Sequence, residues 1–119
     1  MPAIWHIYYI QNNRFAPHGK FVVIACLSVK PMGFLINSQI HPFIQNRPHL
    51  LVCEVAIKAA DYRCLTHDSY VHCVDIYPFE DNELSQIRDP INDKTKMAIK
   101  MAASISENIE RCYKKIILG

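Results

Sequence analysis

His18 stands between Pro17 and Gly19 in the segment QNNRFAPHG (11–19), and Lys20 opens the apolar run KFVVIACLS (20–28). A histidine in such a loop is suited to donating a proton, because imidazole titrates near neutrality. Simple exposure is the plainer account. A second apolar run, FLIN (34–37), ends at Asn37-Ser38, and only a brief turn around Lys30-Pro31 and Gly33 separates the two. Antiparallel pairing across that turn sets Lys20 beside the end of the second run, where Ser38 sits. A cation held next to a hydroxyl suits a phosphate group. The plainer readings are a solvated lysine at a strand start and a serine that forms a turn.

Cys64, His67, His72 and Cys73 bring four zinc-type ligands within ten residues. Closed zinc sites pair ligands two to four residues apart in two clusters, and this spacing does not. If 69–76 is a strand, His72 and Cys73 also point to opposite faces. No metal and no cofactor are therefore expected. The aromatics Trp5, Tyr8 and Tyr9 could stack on RNA bases. Trp5 and Tyr8 fall on opposite faces of a regular strand, however, so core packing is the stronger reading. The five cysteines are odd in number, lack a CxxC pair, and three of them sit in apolar runs. That suits a reducing compartment and cysteine used as a small hydrophobe.

The elements that would position these residues follow from pattern. Residues 3–10 (AIWHIYYI) are β-branched and aromatic, a strand signature. The loop at 11–19 follows, and then 20–28, a continuous apolar run that reads as a central strand buried on both faces. Residues 34–37, 49–57 and 69–76 are three further strands, with 38–48 a loop. Residues 80–84 (EDNEL) suit one helical turn, and Arg88-Asp89-Pro90 a break. Asn92 can cap a helix over 92–118. Its apolar face runs through Ile99, Ala102, Ile105, Ile109, Cys112 and Ile116. Glu107 with Arg111 and Glu110 with Lys114 are i,i+4 pairs on the other side. Strands in succession followed by a helix, with only short breaks between strands, favour a small, mostly antiparallel α+β fold.

At 119 residues, half of them hydrophobic and a fifth charged, residues 1–119 suit a single globular domain. A net charge of +2 does not announce a nucleic-acid binder but leaves room for a local basic patch. No stretch approaches the roughly 20 apolar residues of a membrane span. The first ten residues lack the basic start and small-residue cleavage pattern of a secretory signal. A cytoplasmic protein with no membrane partner is the expectation.

The segment 20–28 resembles the second-strand motif of MazF/PemK-like toxins, in which a charged residue precedes an apolar strand ending in Ser. FLINSQ (34–39) is similar to the family strand that ends in Thr or Ser. The stretch HDSYVHCVDIYPFEDNELSQIRDPINDKTKMAIKMAASI (67–105) resembles the C-terminal half of the family. The fold this implies is the small antiparallel SH3-like β-barrel shared by MazF, PemK and CcdB, with a C-terminal amphipathic helix. The implied activity is that of a toxin in a type II toxin–antitoxin or phage-related system. It would be a metal-independent endoribonuclease cutting single-stranded RNA, working as a homodimer and held in check by a cognate antitoxin. Carried over residue by residue, the cation position falls on Lys20 and the hydroxyl position on Ser38; His18 joins them as the candidate catalytic proton donor, and Asn37, Arg47 and His41 are the candidate RNA contacts. The family usually has Arg-Pro where this chain has Lys20-Phe21, and lysine offers a point charge in place of a fork. Arg47-Pro48 is the same dipeptide but lies after FLINS, not before it. The alternative is a non-catalytic fold-mate acting by protein binding, as a topoisomerase poison or a mobile-element accessory protein. The CcdB mechanism depends on its extreme C-terminus, whereas this chain ends Ile116-Ile117-Leu118-Gly119.

Overall fold

A computed structural model describes residues 2–11 and 14–119. Asn12 and Asn13, within the loop expected at 11–19, lie outside the described residues. The described residues form a six-stranded antiparallel sheet with four helices, an α+β architecture. The strands are β1 (His6–Ile10), β2 (Lys20–Leu27), β3 (Pro31–Asn37), β4 (Glu54–Ile57), β5 (Ser69–Pro78) and β6 (Gln86–Pro90). Their spatial order is β4-β5-β3-β2-β1-β6, with β4 and β6 at the two ends, so hydrogen bonding does not close the sheet into a barrel. Two 3-10 turns, Ala59–Asp61 and Asp81–Glu83, punctuate the connections.

The central strand β2 is buried on both faces, as its unbroken apolar run requires. Val22 and Ile24 face a small core with Tyr8, Ile10, Phe79 and Leu84. Val23 and Ala25 face the main core. A register shift between Ile24 and Cys26 turns Cys26 to that same side. Gly33 of β3 pairs with Ile24, and a β-carbon there would sit 2.3 Å from the Val23 carbonyl oxygen.

The main core is covered by α3 (Asp93–Ile105) through Ile99, Ala102 and Ala103, by α4 (Arg111–Leu118) through Ile117, and by Ile109 of the link between them. The helix expected over 92–118 is thus two helices. Asn92 caps the first, its side chain accepting from the Thr95 amide at 2.8 Å. The break comes at Ser106, whose hydroxyl donates to the Val74 carbonyl of β5 at 2.6 Å and accepts from the Asn108 amide at 3.3 Å. That buried cross-link ends the first helix and re-aims the second. Ile109 stays in the core at 4 % exposure, while Ile116 is turned out at 47 %. Lys114, expected to pair with Glu110, donates to the Ser104 carbonyl.

Four other expectations shift. The strand expected at 49–57 shortens to β4, because Pro48 begins a one-turn helix, α2 (Pro48–Leu51). The loop at 38–48 contains a similar turn, α1 (Pro42–Gln45), opened by Pro42 and capped by His41. Arg88-Asp89-Pro90 does not break the chain but completes β6, an end strand where proline removes no needed ladder bond. The first strand begins at His6 and not at residue 3, since Trp5 adopts a left-handed backbone (φ 59°).

Candidate functional site

The turn between β2 and β3 sets the start of one strand against the end of the other, with Phe21 opposite Ile36. One step further, the Lys20 ammonium donates to Asn37 Oδ1. Partial burial lowers the Lys20 pKa from its ordinary value. Lys20, His18 and Ser38 all line one cavity of about 460 Å³, together with Tyr9, Thr66, His67 and Ser69. The expected convergence of cation, hydroxyl and imidazole is therefore present.

The walls of this cavity have identifiable causes. Tyr9 stacks on Phe21 with ring centroids 5.1 Å apart, and its hydroxyl donates to the His18 carbonyl at 2.6 Å. Gly19 (φ 88°) lets the loop pass over that ring, since a β-carbon there would lie 2.2 Å from the Tyr9 oxygen. On the other side Ser69 is buried and donates to the His67 carbonyl at 3.0 Å, fixing the approach to β5. Sequence reasoning missed Thr66 as a site residue and set Tyr9 aside, as a possible base-stacking ring better explained by core packing. It weighed His67 only as a metal ligand. Tyr9 could have been found from the β1–β2 pairing, which opposes it to Phe21, next to Lys20.

The expected RNA contacts divide. Asn37 and His41 line a second cavity of about 420 Å³, and Asn37 lines only this one while its Oδ1 holds Lys20 of the first. His41 Nδ1 accepts from the Phe43 amide at 3.1 Å. Arg47 joins neither cavity wall: its guanidinium lies 3.6 Å over the Phe43 ring and donates to the Phe43 carbonyl at 2.6 Å.

The second cavity holds a constellation that the sequence did not disclose. Glu54 of β4 is paired in register with His72 of β5, and its Oε2 lies 2.6 Å from His72 Nδ1. Asp75 Oδ2 lies 3.5 Å from His72 Nε2. Residues three apart on a regular strand face opposite sides. Here β5 bulges: from Gly33 to Leu35 β3 advances two residues while its partners on β5 run from Tyr77 to His72, five. The bulge swings Asp75 to the side of His72. It is tied down by the Ser106–Val74 bond and by Asn108, whose amide donates to Asp75 Oδ1 at 3.2 Å. Burial pushes the His72 pKa down, but the Glu54 hydrogen bond and charge, aided by Asp75, outweigh it and the net shift is upward. Cys73, next in sequence, faces the main core, so the two side chains do diverge as a strand requires.

Compared with family models and with curated protein sequences, the chain matches none. Among the described residues, no helix is long and apolar enough to cross a membrane.

Proposed function

We propose that the chain is a metal-independent endoribonuclease of the MazF/PemK-like kind, acting on single-stranded RNA as a toxin of a toxin–antitoxin or phage-related system. The observation that carries this reading is the gathering of Lys20, Ser38 and His18 on one open cavity at the end of the β2–β3 hairpin. On this reading the six-stranded sheet is the SH3-like barrel of the family, left unsealed between β4 and β6. The active form is a cytoplasmic homodimer restrained by an antitoxin.

The chemistry needs no metal because the nucleophile belongs to the substrate. A ribose 2′-oxygen attacks the adjacent phosphorus, the bond to the 5′-oxygen breaks, and a 2′,3′-cyclic phosphate is left. The Lys20 ammonium, oriented by Asn37, offsets the charge that builds on the phosphorane oxygens. The exposed Ser38 hydroxyl donates to one of them. On this reading His18 returns a proton to the leaving 5′-oxygen, and His67, which also lines the cavity, takes the 2′-hydroxyl proton.

A protein-binding fold-mate without catalysis is the second reading. It draws support from Met97 and Met101, each 67 % exposed on α3. Purified protein incubated with varied single-stranded RNA in EDTA separates the two. Cleavage that is lost in Lys20→Ala, with melting unchanged, supports the nuclease. No cleavage by the wild-type chain, or full activity in both Lys20→Ala and Ser38→Ala, removes it.

A further inference from the structure

The cavity beside the proposed cleavage site has its own chemistry. Its walls are apolar and partly flat: Leu35, Ile44, Leu50 and Val74, with the Phe43 and Tyr77 rings. Its volume, about 420 Å³, falls within the range of small-molecule sites. Its polar lining includes two carboxylates, Glu54 and Asp75, beside His72 and Asn108. The Asp75 side chain is 42 % exposed, and a carboxylate with two partners keeps lone pairs for further donors. Glu54, by contrast, is 2 % exposed and committed to His72.

We propose that this cavity is a recognition site for a nucleobase whose edge presents N–H donors, guanine above all, with Asp75 as the reader. The inference rests on the ribonuclease reading for its biological meaning, because Asn37 joins the two cavities. Asn37 lines the second cavity and accepts from Lys20 of the first, so a strand with its base at Asp75 would run toward the cation. Guanine presents two adjacent donors, N1–H and N2–H, that a single carboxylate accepts in parallel. Adenine and cytosine offer one amino group, and uracil one ring N–H. Single-stranded RNA is read in this way, by stacking and by contacts to base edges.

A basic peptide side chain is the competing occupant. It fits less well, because the Phe43 and Tyr77 rings and the apolar wall around them suit a flat base more than a flexible charged stem. Arg47 covers one face of the Phe43 ring, which leaves the other face for the base to rest on.

The experiment is titration of the full chain with guanosine and uridine 5′-monophosphates, followed by calorimetry and by amide chemical shifts. The guanine nucleotide should bind at least about ten-fold more tightly than the uracil one. The largest shifts should fall at His72, Asp75 and Asn108. Asp75→Asn should remove that preference. Because Asp75 also anchors the bulge, Phe43→Ala serves as the second variant. Phe43 is 54 % exposed, so its loss should weaken binding without unfolding the chain. Equal binding of the two nucleotides, no saturable binding by folded protein, or binding only of a lysine- and arginine-rich peptide would each overturn the inference. The readout does not depend on cleavage. Guanine binding without RNA cutting would uphold this site and remove the nuclease, and cutting without guanine preference would do the reverse.

Discussion

Glu54→Gln tests the buried pair that shapes the second cavity. The wild-type contact is short, 2.6 Å between Glu54 Oε2 and His72 Nδ1, and the Glu54 side chain is 2 % exposed. Glutamine keeps the shape and a neutral hydrogen bond but removes the charge. Hydrogen bonds to charged groups contribute about 1.5–3 kcal/mol and neutral ones about 0.5–1.5 kcal/mol, so the expected loss is about 1–2 kcal/mol while His72 is protonated. The His72 pKa is raised in the folded chain. Its stabilisation is therefore fully present below the ordinary histidine value, about 6.5, and is lost as pH rises through the elevated folded value. The gap between wild type and variant should be widest at mildly acidic pH and should narrow in alkali. Thermal melts from about pH 5.5 to about pH 9 read it directly, with a fall in Tm of about 3–10 °C at the acidic end. A gap that is independent of pH, or that widens as pH rises, would refute the pairing of Glu54 with a protonated His72.

The other expectations concern the scaffold. Ile109→Asp buries an unpaired charge and should cost several kcal/mol, on the order of 3–5. The same change at Ile116, which is 47 % exposed, should stay within about 0.5 kcal/mol; urea unfolding of both variants locates the turned face of α4. Tyr62→Phe removes a hydroxyl that donates to Thr95 Oγ1 at 2.8 Å and accepts from the Asn92 amide at 3.3 Å, so about 1–2 kcal/mol should be lost in the same assay. Gly33→Ala forces a methyl group against the Val23 carbonyl, with no side-chain end to give way, and should lower the urea midpoint by the equivalent of about 2–3 kcal/mol.

Much of the sheet could be read directly because β2 and β3 advertise themselves. A seven-residue apolar run and a nearby second run leave few alternatives, and their short turn dictates that Lys20 and the end of β3 meet. What stayed hidden depends on contacts distant in sequence. Nothing local in SISENIERC predicts a break, since its apolar spacing continues through it. The break is imposed by Ser106 reaching a carbonyl on β5. The bulge that brings Asp75 to His72 is likewise invisible, because it is a mismatch between two strands and not a property of either. Proline at 42 and 48 was read as a loop signal and in fact opens two single-turn helices, a use of the same fixed φ that a sequence alone does not distinguish.

The ends of the sheet also govern how the chain meets others of its kind. An exposed strand edge invites a foreign strand to add on, and that is the usual route to fibrils. Here one end strand, β4, is only four residues long. The other, β6, carries Arg88 and Asp89 and terminates at Pro90, which has no amide hydrogen to offer. Neither edge gives a template long or bare enough to propagate. At high local concentration the sheet therefore offers little for a foreign strand to pair with, and the backbone ladder stops within each molecule.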